Sequence, residues 1–179
     1  MPVKFVFNDQ LLGVWMLLHQ TYNSISRYED KELGKVGISA QQHAILMAIM
    51  RTNGSATPTQ IAKWVDRNAN SITLMLDRME KNGLVIRTRS VTDRRSLYVE
   101  MTEKGAEALK QGVKVGWDII RDVLGSLSVE ETRVLSDSLE KLRQRAILRC
   151  YPEKAIEEIR INEETRLNRF LNEALDKQE

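Results

Sequence analysis

Three small hydrogen-bonding side chains, Asn70, Ser71 and Thr73, open a helical stretch that runs from Asn68 to Asn82. Further along the same segment comes the charged run Asp93-Arg94-Arg95, between two short stretches of strand-like alternation. Amides and hydroxyls on the first turn of a helix can donate to phosphate oxygens, helped by the N-terminal dipole, or read base edges. An arginine at the end of a hairpin can enter a narrow minor groove, where the negative potential is enhanced. An aspartate two residues before it can hold the guanidinium by a bidentate contact. Each feature alone has a bland explanation, a capped and solvated helix start or an ordinary charged turn. Together they present a helix and a basic finger from one segment, which suits major-groove entry beside a second groove contact. The candidate DNA contacts are Asn68, Asn70, Ser71, Thr73, Leu74 and Arg78 on the helix. On the hairpin they are Arg87, Arg89, Asp93, Arg94 and Arg95.

The elements that must position these residues are marked by caps and periodicity. Ser39 caps a helix with Ile45, Leu46 and Ile49 inward, and Thr57-Pro58 starts a short one with Ile61, Ala62 and Val65 inward. Asp66-Arg67 makes the turn, and Asn68 caps the next helix, whose apolar face is Ile72, Met75, Leu76 and Met79. The opposite face carries Asn70, Ser71, Thr73, Leu74, Asp77, Arg78 and Lys81, and Asn82-Gly83 ends the helix. Two strands follow, Val85–Arg89 and the alternating Leu97, Val99, Met101. The expected fold is mainly α with a small β-hairpin wing, a winged helix-turn-helix over 39–102.

Long amphipathic helices flank that segment. The first, over 1–38, has Asn8 as its N-cap and the stripe Leu11, Trp15, Leu18, Tyr22, Ile25. Over 103–151 one helix runs from Thr102 towards Leu127, with Gly112 and Gly116 marking a bend or a close helix contact. A second begins at the capping box Ser128/Glu131 and carries Leu135, Leu139, Leu142 and Ala146. After Tyr151-Pro152 a further helix over 152–179 has Ile156, Ile159, Leu167, Phe170, Leu171 and Leu175 against a charged face. So many apolar stripes exceed what one small domain needs, which predicts a helical homodimerisation region.

Composition sets the bounds. At 179 residues, 42% hydrophobic and 29% charged, the chain is a globular protein with a real core. The net charge of +2 is slight, but between Thr59 and Ser96 eight cations face four anions, so the basic charge is local. No apolar run is long enough to span a bilayer and no signal-peptide pattern is present, so the expected setting is cytoplasmic, without a membrane partner. Cys150 is the lone cysteine and His19 and His43 lie far apart, so no disulfide and no metal site are expected. No nucleophile motif or phosphate loop points to an enzyme, and no cofactor is implied.

The run Ile61-Ala62-Lys63, then Ile72 through Arg87, then Asp93-Arg94-Arg95-Ser96 and Met101-Thr102-Glu103-Lys104-Gly105 resembles the MarR family of bacterial and archaeal transcription regulators. The shared signatures are Asp-Arg-x-x-x-x-Gly-Leu-Val-x-Arg, and Asp-x-Arg before a strand ending Met-Thr-x-x-Gly, and the likeness covers roughly Asn8 to Arg149. The resemblance implies a homodimer on double-stranded DNA, its recognition helices in successive major grooves of a pseudo-palindromic operator and its wings in the flanking minor grooves. On that basis Arg95 resembles the family's wing-tip arginine and Asp93 its partner. It also implies a repressor relieved by a small aromatic or phenolic effector, for which Trp15, His19, Tyr22 and His43 are the pocket candidates. Two departures stand out: Leu74 occupies a position where the family often has a basic residue, and the helix after Pro152 exceeds the usual length. Family members that sense oxidants carry the thiol near the N-terminus, so Cys150 is expected to be inert. The alternative reading is a helical protein-interaction module whose winged domain binds protein.

Overall fold

The computed structural model describes residues 9–150 apart from 53, 66 and 90–96. Its elements run α1 (Gln10–Gly34), α2 (Ala40–Arg51), β1 (Ser55–Ala56), α3 (Pro58–Trp64), α4 (Ala69–Lys81), β2 (Val85–Arg89), β3 (Leu97–Met101), α5 (Glu103–Leu124) and α6 (Val129–Cys150). The Asp93-Arg94-Arg95 run and the expected helix after Pro152 lie outside the described residues.

Helix starts follow their side-chain caps. Ser39 and Thr57 each accept from the backbone N–H three residues on, while Gln42 and Gln60 reach back to the cap N–H, closing two capping boxes. Ser128 and Glu131 form a third ahead of α6. At α1 the cap is Asp9, one residue later than the expected Asn8. Asp9 has the extended backbone a cap requires, and its carboxylate accepts from Leu11 N–H at 2.8 Å.

The core sits where α2, α3 and α4 meet the sheet. Ile45, Leu46, Ile49, Ile61, Ile72, Leu76, Met79, Val85 and Val99 are all fully buried. Burying such a side chain contributes on the order of 1.5–3 kcal/mol, so this cluster outweighs any surface contact. The sheet has three strands, in the order β1-β3-β2 and antiparallel throughout. Beyond the two expected strands, β1 pairs Ser55 with Glu100 and Ala56 with Val99. A two-residue strand carries no alternation to read, so only the pairing reveals it. Gly54, at φ +86°, supplies the left-handed turn that brings Ser55 alongside β3.

The end of α4 is bolted to the start of α5. Gly83 takes the left-handed conformation at φ +69°, and Leu84 N–H returns to the Met79 carbonyl. The Thr102 hydroxyl donates to the Gly83 carbonyl at 2.6 Å and accepts from Gly105 N–H at 3.0 Å, while the Lys104 ammonium donates to the Asn82 carbonyl. A Cβ on Gly105 would stand 2.0 Å from the Leu84 carbonyl oxygen, so only glycine permits this approach. Further along α5, Gly112 is a close contact and not a bend: a Cβ there would lie 2.6 Å from the His43 ring. Gly116 meets nothing, and α5 ends at Leu124, short of the expected Leu127. The chain divides into two compact units within α5, at Ile119/Ile120.

In the first unit, α1 leaves an apolar stripe open, with Leu11, Trp15, Leu18 and Tyr22 exposed. In the second, α6 buries no residue, and Leu135, Leu139 and Leu142 are exposed. The backbone at Gly105 generates a stability test. Gly105→Ala should cost more than about 2 kcal/mol, because backbone and not a flexible side chain blocks the added methyl. Urea denaturation followed by circular dichroism should show a lower midpoint; an unchanged midpoint would mean that Leu84 and α5 can separate freely.

Candidate nucleic-acid interface

The third helix of the winged unit, α4, buries Ile72, Leu76 and Met79 and so turns Asn70, Ser71, Thr73, Leu74 and Arg78 to solvent. This is the face expected to meet a groove. Asn68 is the N-cap, its side-chain oxygen accepting from Ser71 N–H at 2.8 Å, so its side chain is engaged in holding the first turn. The Thr73 hydroxyl donates to the Ala69 carbonyl at 3.0 Å, inside its own helix. Leu74 is 64% exposed, the most exposed large hydrophobic side chain of the described winged segment.

Arg87, expected on the wing as a DNA contact, turns back to α4 instead. Its Nη1 lies 2.6 Å from Asp77 Oδ1 and 3.2 Å from Glu80 Oε2. Its Nη2 donates to the Thr73 carbonyl at 3.2 Å, and its backbone N–H donates to Glu80 Oε1 at 3.1 Å. The side chain is only 19% exposed, and both terminal nitrogens of the guanidinium are turned to α4. It fastens the first wing strand to the exposed helix. Asp77 and Glu80 are therefore positioning residues, which the sequence reading missed. The signal was present: Asp77 and Arg87 are the two ends of the Asp-Arg-x-x-x-x-Gly-Leu-Val-x-Arg signature, and they pair with each other. Across the sheet, the Thr88 hydroxyl donates to Glu100 at 2.8 Å, tying β2 to β3. Arg89 is exposed at the end of β2, and Asp93, Arg94 and Arg95 lie outside the described residues.

The four pocket candidates fall into two groups. Trp15 and His19 make an edge-to-face contact, ring centroids 4.6 Å apart, on the exposed stripe of α1 that also carries Tyr22. His43 is packed in α2 against Gly112, with its Nε2 buried and without a hydrogen-bond partner. Burial pushes its pKa below the usual histidine value, because the charged ring would lose water. A shallow cleft of about 210 Å³ lies elsewhere, lined by Ala44, Met47, Ala48, Arg51, Trp64 and Val65, and takes in none of the four. Cys150 is exposed at the last position of α6.

A compact three-helix core, a three-stranded sheet whose hairpin is fastened to an exposed third helix, and long flanking helices define a winged helix-turn-helix regulator. The model of the MarR family matches residues 38–97. The chain is 31% identical over 122 residues to the HTH-type transcriptional regulator PecS of Dickeya dadantii, covering 65% of this chain and 74% of PecS. The chain belongs to the MarR family, and is a DNA-binding transcription regulator. Two solved structures share the fold. The organohalide-sensing transcriptional regulator RdhR in its 2,4-dichlorophenol-bound form matches with TM-score 0.74 and 26% identity, over 83% of this chain and 88% of that one. A mutant MarR from E. coli complexed with operator DNA matches with TM-score 0.67 and 27% identity, over 74% of this chain and 94% of that one.

Two predictions follow from the geometry of Arg87 and His43. Arg87→Ala removes two ion pairs and a carbonyl contact and leaves two carboxylates facing each other. It should cost on the order of 1–2 kcal/mol, discounted for the half-exposed carboxylates; a denaturation midpoint equal to wild type would show the bracket to be idle. For His43, the folded state holds the neutral ring below its unfolded pKa of about 6.5. The unfolded chain therefore takes up a proton first, so stability is full above about pH 6.5 and falls as pH drops below it. The difference in stability between wild type and His43→Gln should shrink from pH 7.5 to pH 5, and a difference that does not change with pH would refute the buried neutral ring.

Proposed function

We propose that two copies of the chain bind a pseudo-palindromic operator duplex and repress transcription until a small aromatic or phenolic effector releases them. In each copy α4 enters a major groove, where Asn70, Ser71, Thr73, Leu74 and Arg78 face the bases and phosphates. The wing tip, with Arg94, Arg95 and the positioning Asp93, takes the flanking minor groove, and Arg89 approaches the backbone beside it. The single observation that carries this reading is the Arg87 bracket, which joins β2 to the exposed face of α4 at Asp77, Glu80 and Thr73. A helix and a hairpin held in fixed relation can address two grooves of one duplex together. The operator complex of the mutant E. coli MarR supports it.

The open stripes of α1 and α6 support a homodimer in which the helices outside 39–102 supply the interface, extended by 152–179. The dichlorophenol-bound form of RdhR supports an effector of phenolic class; the candidates to meet it are Trp15, His19 and Tyr22 on the exposed stripe of α1 and, separately, His43 on α2. Such a regulator works where its operator DNA lies, in the cytoplasm.

The test starts from duplexes that the full chain selects out of a random library, with binding followed by fluorescence anisotropy at several salt concentrations. Wild type should show a steep salt slope, and Arg95→Ala should reduce it by about 1 per wing while preserving sequence preference at the helix-read positions. Asn70→Ala should relax base preference at one position per half-site, where a good contact distinguishes bases by roughly 1–3 kcal/mol. Salicylate should weaken the complex, and the selected duplex should weaken salicylate binding by the same factor. Failure to select any sequence, with weak salt-independent binding, would reject the DNA reading; selection without a salicylate effect would reject this effector class.

A further inference from the structure

We propose that Leu74 reads the 5-methyl group of a thymine, making it a specificity-determining residue of this chain. The inference rests on the proposed placement of α4 in a major groove and names one contact within it. Among the described residues of the winged segment, 40–101, only Leu74 and Ile86 are large hydrophobic side chains left exposed, and Leu74 is the more exposed at 64% against 45%. Lone surface leucines are common, so exposure by itself decides nothing. Position decides more. Leu74 stands one helical turn after Asn70 and one before Arg78, three and four residues being the spacings that share a helix face. It is thus the apolar centre of an otherwise polar reading surface.

The neighbouring polar groups narrow what this surface can recognise. The Thr73 hydroxyl gives its proton to the Ala69 carbonyl and so can only accept, while the Thr73 carbonyl is met by Arg87. The Asn68 side chain caps Ser71 N–H. At its centre the exposed face of α4 offers a branched hydrocarbon, between the donors Asn70 and Arg78. In the major groove one base alone presents an apolar group, the thymine C5-methyl; the others present donors and acceptors. A leucine pressed on a cytosine amino group or a guanine carbonyl would strip water from it with no replacement hydrogen bond, which disfavours those bases. Leu74 so selects for thymine both by attraction to the methyl and by the penalty on its competitors.

Deoxyuridine tests this directly, because it keeps the base pair and removes only the methyl. Each thymine of a duplex selected by the wild-type chain is replaced in turn by deoxyuridine, and binding is measured for wild type, Leu74→Ala and Asn70→Ala. Wild type should lose affinity about fourfold per methyl at one symmetric position in each half-site, the worth of one buried methylene-sized group. At that position Leu74→Ala should bind the thymine and deoxyuridine duplexes alike, while Asn70→Ala keeps the thymine preference there. Because Leu74 is exposed, the variant should retain the wild-type denaturation midpoint, so its binding change is not a folding defect. Equal deoxyuridine penalties for wild type and Leu74→Ala at every position would overturn the proposal, as would a wild-type chain indifferent to every replacement. If Asn70→Ala alters base preference while Leu74→Ala does not, the groove placement of α4 stands and the thymine contact falls. If neither variant alters any preference, both fall.

Discussion

One guanidinium draws the first hairpin strand and the exposed helix α4 together. Arg87 joins two carboxylates and a main-chain carbonyl of α4 to a strand of the sheet. An isolated surface ion pair contributes little, because water already solvates both charges well. Here the arginine is mostly buried, its planar fork meets several acceptors at once, and the strand's own N–H joins the same Glu80. Such multidentate geometry loses less entropy per bond than a flexible ammonium would. Its main effect is positional: the hydrophobic core stabilises the unit, and the bracket joins the middle of β2 to the exposed side of α4.

A second fastening works through backbone alone. Gly83 ends α4 in a left-handed turn, Thr102 bonds that turn on one side and Gly105 on the other, and Gly105 lies against the Leu84 carbonyl. The two glycines have different reasons. Gly83 is needed for its φ, and Gly105 for the space a side chain would fill. With Lys104 on the Asn82 carbonyl, the first turn of α5 grips the last turn of α4. Both ends of the wing hairpin thereby converge on one helix, Arg87 from β2 and Thr102 from just beyond β3.

Much of this could be read from residue types. Caps at Ser39, Thr57, Asn68 and Ser128 are local events between residues a few positions apart, so they show in the sequence and recur in the structure. So does the apolar face of α4. What escaped was long-range. A two-residue strand at Ser55–Ala56 is specified by its partner on β3 and by nothing in its own composition. Arg87 was expected as a wing contact to DNA, and its pairing with Asp77 and Glu80 was not foreseen, because a helix end and a turn separate it from them. Asn8 and Asp9 are both cap-forming residue types, so composition alone does not choose between them. His43 and Gly112 likewise meet across a long stretch of chain, where helical periodicity marks a close contact without naming the neighbour.

These fastenings also bear on how a bound effector could reach the DNA face. Coupling between sites needs an element with two arrangements that both sites bias. Inside the winged unit Arg87 ties β2 to α4, so a rearrangement between them would first have to break those contacts. Where α5 meets α2 the constraint is steric: a Cβ at Gly112 would stand 2.6 Å from the His43 ring, so the two helices approach more closely than any side chain there would allow. An effector that acted through α5 would have to open this contact, because it joins α5 to the helices that carry the exposed face of α4.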